Sequence, residues 1–283
     1  MASSDGRSPY HPGEDLVQRS VGQLEVAARR GIAIRREIPP ALAHFVQEQP
    51  RILLGGIGNG NLVWATVMVG PVGFVKAIEP GVLRIAGRPT GHDPLADLAD
   101  GSEVGSLVID LATRRRARLN GRAWIHEQGI DLNLDQVYPN CAQHIRHREW
   151  NDSGTEYLTG CRSHELSERQ RALIADTEMF FVASIAPGEG ADISHRGGPR
   201  GFVTSSNPHS IEFDDYDGNA MFNTLGNLQQ DDRIGLLIVD SPTCSLIHIS
   251  GTASWKKTPT GRRVFVAVQQ VLDRSSHERD DSC

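Results

Sequence analysis

An internal duplication constrains this chain more than any other feature. Gly70-Pro71 followed by Gly73-Phe74-Val75 returns as Gly198-Pro199 followed by Gly201-Phe202-Val203, 128 residues further on. The order of features around it returns too. A helical stretch (IPPALAHFVQEQ, then LSERQRALIADT) leads into an apolar run at 51–56 and again at 180–185. GSLVID at 105–110 answers GLLIVD at 235–240, and Gly121-Arg122-Ala123 answers Gly251-Thr252-Ala253, both displaced by 130. Two loop insertions account for the drift. Self-similarity at a fixed displacement means one structural unit built twice, and 283 residues is close to twice a domain of about 150. The expected organisation is one domain over 1–150, a polar Gly-containing linker over 148–164, and a second domain over 165–275.

Each copy reads as a short helix followed by five or six strands. Ser167 with Gln170 three residues later is a capping-box signature, and Pro39-Pro40 suits a helix's opening turn. Segments 83–85, 116–120, 211–213, 245–250 and 264–268 are short and bounded by Gly, Pro, Asn or Asp, as strands are. Arginines alternate along 116–120, so Arg116, Arg118 and Asn120 share one face. Many short strands with little helix predict a mainly β chain of closed or partly closed barrels.

GGIGNGN at 55–61 resembles a nucleotide-binding loop, but the following NLVWATVMV is β-branched and strand-like where a dinucleotide fingerprint needs a helix. Asn59-Gly60 is therefore read as a hairpin turn. A net charge of −6 disfavours nucleic acid as a partner. No apolar run approaches the ~18 residues of a membrane span, and the start lacks a basic-then-apolar leader pattern, so a soluble cytoplasmic protein is expected. Four scattered cysteines (Cys141, Cys161, Cys244, Cys283) predict reduced thiols, structural or free. The residues at 275–283 read as a frayed tail.

Two segments carry candidate chemistry. In ADISHRGGPRGFV, Ser194, His195 and Arg196 precede Gly197 and Gly198; a forked cation, a hydroxyl and unhindered amides make an anion site, with a solvated turn as the alternative. In DDYDGNAMFNTLGNL (214–228), Asn219, Asn223, Thr224 and Asn227 lie beside Met221 and Phe222. Amides next to apolar groups suit a flat heteroaromatic ligand, although a capped amphipathic helix with Met221, Phe222 and Leu225 in the core reads equally from the pattern. Cys141, His144 and His147 have metal-like spacing, but steps of three drift around a helix, and no metal site is assigned. A serine hydrolase is excluded for want of a G-x-S-x-G elbow.

SHRGGPRGFV, DYDGNAMFNTLGNL, DDRIGLLIVD and a strand ending at Ser250-Gly251 together resemble the pyridoxamine 5'-phosphate oxidase-like family of FMN-binding split β-barrels. YHPGE (10–14), VGPVGFV (69–75), GHDPLADL (91–98), LATRRRARLNGR (111–122) and VYPNCAQHI (137–145) resemble the N-terminal half of its tandem subgroup, so the resemblance runs from about residue 10 to 271. It implies two tandem split barrels acting as a dimer within one chain, with FMN between them. Residue by residue it implicates Ser194, His195, Arg196, Gly197, Asn219, Asn223, Thr224 and Asn227 around the phosphate, with Met221 and Phe222 flanking the ring. His195 is the candidate titrating catalytic group. The first copy has Thr66-Val67-Met68-Val69-Gly70 at the corresponding place and loses the cation, so its own site is degenerate. Arg116, Arg118 or Asn120 would then reach across the internal interface, or else form a solvated face.

The implied activity is an FMN-dependent oxidoreduction of a small-molecule substrate, with electrons from NAD(P)H or a separate reductase, and a homodimer of whole chains is allowed. The C-terminal arginine motif of true pyridoxamine phosphate oxidases is missing, so vitamin B6 oxidation is not carried over. The competing class on the same scaffold is a non-catalytic flavin, deazaflavin or haem binder serving as sensor or carrier.

Overall fold

The duplication folds as two antiparallel sheets with the same strand order. The computed structural model describes residues 8–140, 143–145, 150, 159–240, 245–259 and 261–275. Three helices come first: α1 (Pro12–Ser20), α2 (Leu24–Gly31) and α3 (Pro40–Gln47). The first sheet contains β1 (Arg51–Gly58), β2 (Leu62–Val69), β3 (Val75–Glu79), β4 (Val82–Ala86), β5 (Glu103–Asp110), β6 (Arg115–His126) and β7 (Gly129–Pro139). After β8 (Thr159–Ser163) and α4 (Glu168–Asp176), the second contains β9 (Met179–Ala186), β10 (Gly190–Gly197), β11 (Val203–Asn207), β12 (Ser210–Asp215), β13 (Arg233–Asp240), β14 (Ser245–Thr258) and β15 (Gly261–Ser275). The five-residue α5 (Asn223–Asn227) lies between β12 and β13. The orders β2-β1-β5-β6-β7-β4-β3 and β10-β9-β13-β14-β15-β12-β11 correspond strand for strand. The expected mainly β tandem is what the chain forms.

Local chemistry explains the elements foreseen. Pro39 and Pro40 open α3, and the Ser167–Gln170 capping box closes on itself at the start of α4, with Gln170 N–H donating to Ser167 Oγ at 3.3 Å and Ser167 N–H to Gln170 Oε1 at 2.9 Å. β1 and β2 pair from Gly58↔Leu62 outward around a 3-10 turn at Asn59–Asn61, where Gly60 takes φ +74°, so the glycine-rich run is a hairpin. The structure departs from the sequence reading in four places. Among the described residues the first sheet has seven strands and the second, counting β8, eight, where five or six were expected in each copy. α1 and α2 were not foreseen; His11 caps α1 through the Gly13 N–H, and Glu14 receives the His11 N–H at 3.0 Å. The end of the supposed linker is β8, which pairs the late half of β15. Cys161 is disulfide-bonded, because spacing along a chain does not report distance in a fold. Cys141, Cys244 and Cys283, like His147 and the tail at 276–283, lie outside the described residues. Among the described residues no helix is long and apolar enough to cross a membrane.

Three large apolar clusters, with a fourth, smaller one around Tyr10 and Tyr138, hold this arrangement. One lies within the first sheet around Trp64, Leu83, Ile85, Leu119 and Leu132, and one within the second around Phe180, Phe213, Ile234, Ile249 and Val264. The third lies between them, where Leu53, Val63, Leu107 and Ile109 meet Phe181, Ile185, Ile193 and Leu237. Each such side chain contributes about 1.5–3 kcal/mol on burial, so the lobes form one stable body. Their contacts are reciprocal: β2 packs on β13 and β14, while β10, its counterpart, packs on β5 and β6. That is the geometry of a two-fold dimer interface within one chain. α1 crosses over, its Val17 sitting in the second lobe's cluster, so the start of the chain completes the later lobe.

Candidate functional site

The seam between β6 and β10 brings most of the nominated residues together. Arg118 is buried, at 7% exposure, and its Nη1 donates to Tyr138 Oη at 3.1 Å, Asp192 Oδ1 at 3.0 Å and Asn223 Oδ1 at 2.8 Å, while its Nη2 donates to Ser194 Oγ. Asn120 Nδ2 donates to the same Asp192 oxygen at 2.8 Å, and Arg116 Nη1 reaches His195 Nδ1 at 3.2 Å. All three residues of that alternating face therefore touch the second lobe. Ser194 Oγ also shares a hydrogen bond with Thr224 Oγ1, and Asn227 donates to Ser184 Oγ and Asp192 Oδ2, each at 3.0 Å.

Most polar atoms of this inner layer are satisfied by its own members, the buried Arg118 Nε excepted among the described residues. Asn223 Nδ2 donates to Glu14 Oε1 at 2.6 Å, and Asn227 Oδ1 lies 2.8 Å from His11 Nε2, so α1 closes it from outside. Burial, then the neighbouring Asp192 charge, raises the Glu14 carboxyl well above its ordinary range, which favours its neutral form. The Asp192 carboxylate already neutralises the Arg118 guanidinium, which leaves no uncompensated cation there for a phosphate. Ser194, Asn223, Thr224 and Asn227 thus form the joint between the lobes.

Further out, the seam opens into a cleft. Arg116, His195, Arg196, Gly197 and Asn219 line it with Asn140, His144, Phe202 and Tyr216, and it continues past Arg118 to Phe222. Tyr216 stacks on His144 with centroids 5.6 Å apart and on Phe202 at 6.3 Å, giving the cleft an aromatic wall. Arg262 lies over the Phe222 ring at 5.0 Å. Arg196 pairs with Asp215 at 3.0 Å, and Asp215 also receives Arg262 Nε at 2.9 Å. Across the mouth, Asn219 donates to Asn140 at 2.9 Å, and His144 Nε2–H donates to the Asp217 carbonyl at 2.8 Å. A Cβ on Gly197 would lie 2.1 Å from the His144 carbonyl oxygen, so only glycine admits that approach. Ser194, Asn223 and Thr224 border the cleft from the inner layer, whereas two nominated residues do not line it. Met221 is core, clustered with Tyr10, Ala27 and Tyr138, and Asn227 lies in the inner layer.

His195 does not titrate near neutrality. Burial, then the Arg116, Arg196 and His144 charges, push it well below the ordinary histidine range, so it stays neutral. In that neutral form the ring offers one donor and one acceptor nitrogen. Glu14, Tyr138, Asp192, Asp215, Tyr216 and Arg262 also belong to the site and are not singled out by the sequence. All of these but Arg262 lie inside the motifs quoted above, but nothing in a motif tells which side chain faces the cleft.

The counterpart in the first lobe is filled. By register Trp64 takes the place of Asp192, Thr66 that of Ser194 and His248 that of Arg118. Trp64 is fully buried; Thr66 donates to Asp93 at 2.5 Å, and Arg274 pairs with Asp93 at 2.7 Å. His248 Nδ1–H donates to the Ala65 carbonyl at 2.8 Å, and burial lowers its pKa to about 4. A group depressed in the fold contributes stability above its unfolded pKa and loses it as pH falls through the folded value. The urea midpoint should therefore decline between about pH 6.5 and 4, by roughly 3 kcal/mol for His248 at full effect. The raised pKa of Glu14 acts in the opposite sense, its contribution lost as pH rises through the folded value. His248→Gln should flatten the acid decline selectively; an unchanged slope would show that the histidine is not its source.

The chain matches no protein-family model and no curated protein sequence. Solved structures similar to it include HupZ from Group A Streptococcus, 13% identical over 37% of this chain and 90% of that chain, with a TM-score of 0.31. The FAD binding protein from Mycobacterium smegmatis is 11% identical over 41% of this chain and 98% of that one, TM-score 0.28. A protein of the pyridoxinephosphate oxidase family from Clostridium acetobutylicum, related to general stress protein 26, is 9% identical over 38% and 80%, TM-score 0.26. The fold described here rests on the chain's own repeated strand order.

Proposed function

We propose that this protein binds one flavin per chain, as FMN, in the outer cleft between the lobes, and uses it to oxidise or reduce a small molecule. The observation that carries this reading is the meeting, across one seam, of Arg116, His195 and Arg196 with the wall made by Tyr216, His144 and Phe202. Guanidiniums and an imidazole suit the anionic end of such a ligand, and stacked rings suit its planar end. The His195 Nε2 and Arg196 Nε atoms are buried without hydrogen-bond partners among the described residues, so bound polar groups would complete them. A bound flavin would supply hydride or electron transfer, and the chain would supply binding, orientation and charge. NAD(P)H or a separate reductase would provide electrons. The filled counterpart in the first lobe supports a stoichiometry of one.

Titration of the purified protein with FMN, FAD and haem tests this. FMN should saturate at one per chain, and Arg196→Gln and Tyr216→Ala should each weaken it about tenfold, the loss of one good charged or stacking contact at about 1.4 kcal/mol. No FMN binding by a folded protein, or a haem Soret band in preference, would overturn the reading. Anaerobic NADH or NADPH should bleach the bound flavin, and air should restore it. A flavin inert to both and to chemical reductants would replace the enzyme with a carrier.

A further inference from the structure

His195 has two ring nitrogens in different situations. Nδ1 lies 3.2 Å from Arg116 Nη1, and Nε2 is buried with no partner among the described residues. A guanidinium carries only donors, so Nδ1 must present its lone pair, and in a neutral imidazole the proton then resides on Nε2. We propose that Arg116 is a positioning residue that fixes His195 as the Nε2–H tautomer, making it a permanent hydrogen-bond donor to an oxygen or nitrogen acceptor on the cleft's ligand.

The surroundings support this arrangement. The ring is held edge-on against Phe181, with centroids 5.7 Å apart and planes at 64°, which limits its rotation. Its Cε1 lies 3.0 Å from where a Gly197 Cβ would stand, so glycine is what admits the ring at that wall. The charged or titratable groups that act on it come from three elements: Arg116 on β6, Arg196 on β10, and His144 in the segment after β7. All oppose a second proton on the ring. Arg116 and His195 belong to different lobes, so the couple exists only when the seam is closed. Only the identity of the acceptor rests on the flavin reading; the tautomer does not.

The experiment has two independent arms. Nitrogen-15 correlation spectra of histidine-labelled protein without ligand should show His195 as the Nε2–H form across the neutral pH range. Arg116→Met should convert it to a mixture or to the Nδ1–H form, and Arg116→Lys, which keeps a donor, should restore the original pattern. An Nδ1–H or imidazolium His195 in the parent protein, or an Arg116→Met spectrum unchanged from it, would overturn the proposal. In the second arm, FMN affinity is measured for Arg116→Met, His195→Phe and the double variant. If Arg116 acts through His195, the double variant binds within about twofold of His195→Phe alone; fully additive losses would show an independent contact and overturn the positioning role. Failure of the parent protein to bind FMN would remove the flavin reading and leave the first arm to decide.

Discussion

Replacing Arg118 with methionine is expected to destabilise the protein by about 3–5 kcal/mol, the usual consequence of removing one partner from a buried ion pair. The side chain has four hydrogen-bond acceptors around it: Asp192, Asn223, Ser194 and Tyr138. Methionine has similar length and satisfies none of them, so a carboxylate and three polar groups would be left in a space with little water. Urea or guanidinium denaturation measures the loss directly. The double variant Arg118→Met, Asp192→Leu removes both charges and should recover much of it, since a well-packed apolar pair can match a buried ion pair. A single variant within about 1 kcal/mol of the parent would show that the inner layer is not the joint described here.

The second large effect is expected at two glycines related by the duplication. A Cβ on Gly105 would lie 2.5 Å from the Asp192 carbonyl carbon, and one on Gly235 would lie 2.7 Å from the Trp64 Cα. Each obstacle is main chain of the opposite lobe, which cannot rotate aside. Gly235→Val and Gly105→Val should each cost about 3 kcal/mol or more, at or beyond the upper end of overpacking, and should loosen the seam. Gly188→Ala supplies the contrast. Its φ of +83° strains any side chain, yet nothing lies within 4 Å of the added Cβ, so about 1 kcal/mol is expected. Equal losses at Gly188 and Gly235 would mean that backbone conformation, not lobe contact, governs both.

Much of the fold was legible from local chemistry. The Asn59-Gly60 hairpin, the proline-opened α3, the capping box of α4 and the β-branched runs are decisions made within a few residues. β8 was not, because TGCRS has little intrinsic strand character and pairs only where the late half of β15 offers it an edge. α1 was missed for a similar reason. Its nine residues have a low mean hydropathy and are held by α5 and the second lobe's core, contacts with residues more than 200 positions away.

For the site, the sequence by itself determined which chemical groups are present and that they occur on two copies of one unit. The repeat, the turn glycines and the alternation of Arg116, Arg118 and Asn120 follow from spacing alone, because backbone geometry ties side-chain direction to local position. The tertiary structure decided which charge answers which. Arg118 was neutralised by Asp192 and covered by Glu14 with its raised pKa, His195 was kept neutral by burial between guanidiniums, and Trp64 closed the twin site. Each of those outcomes depends on distance and dielectric between groups remote in the chain, and both are set only when the lobes pack together.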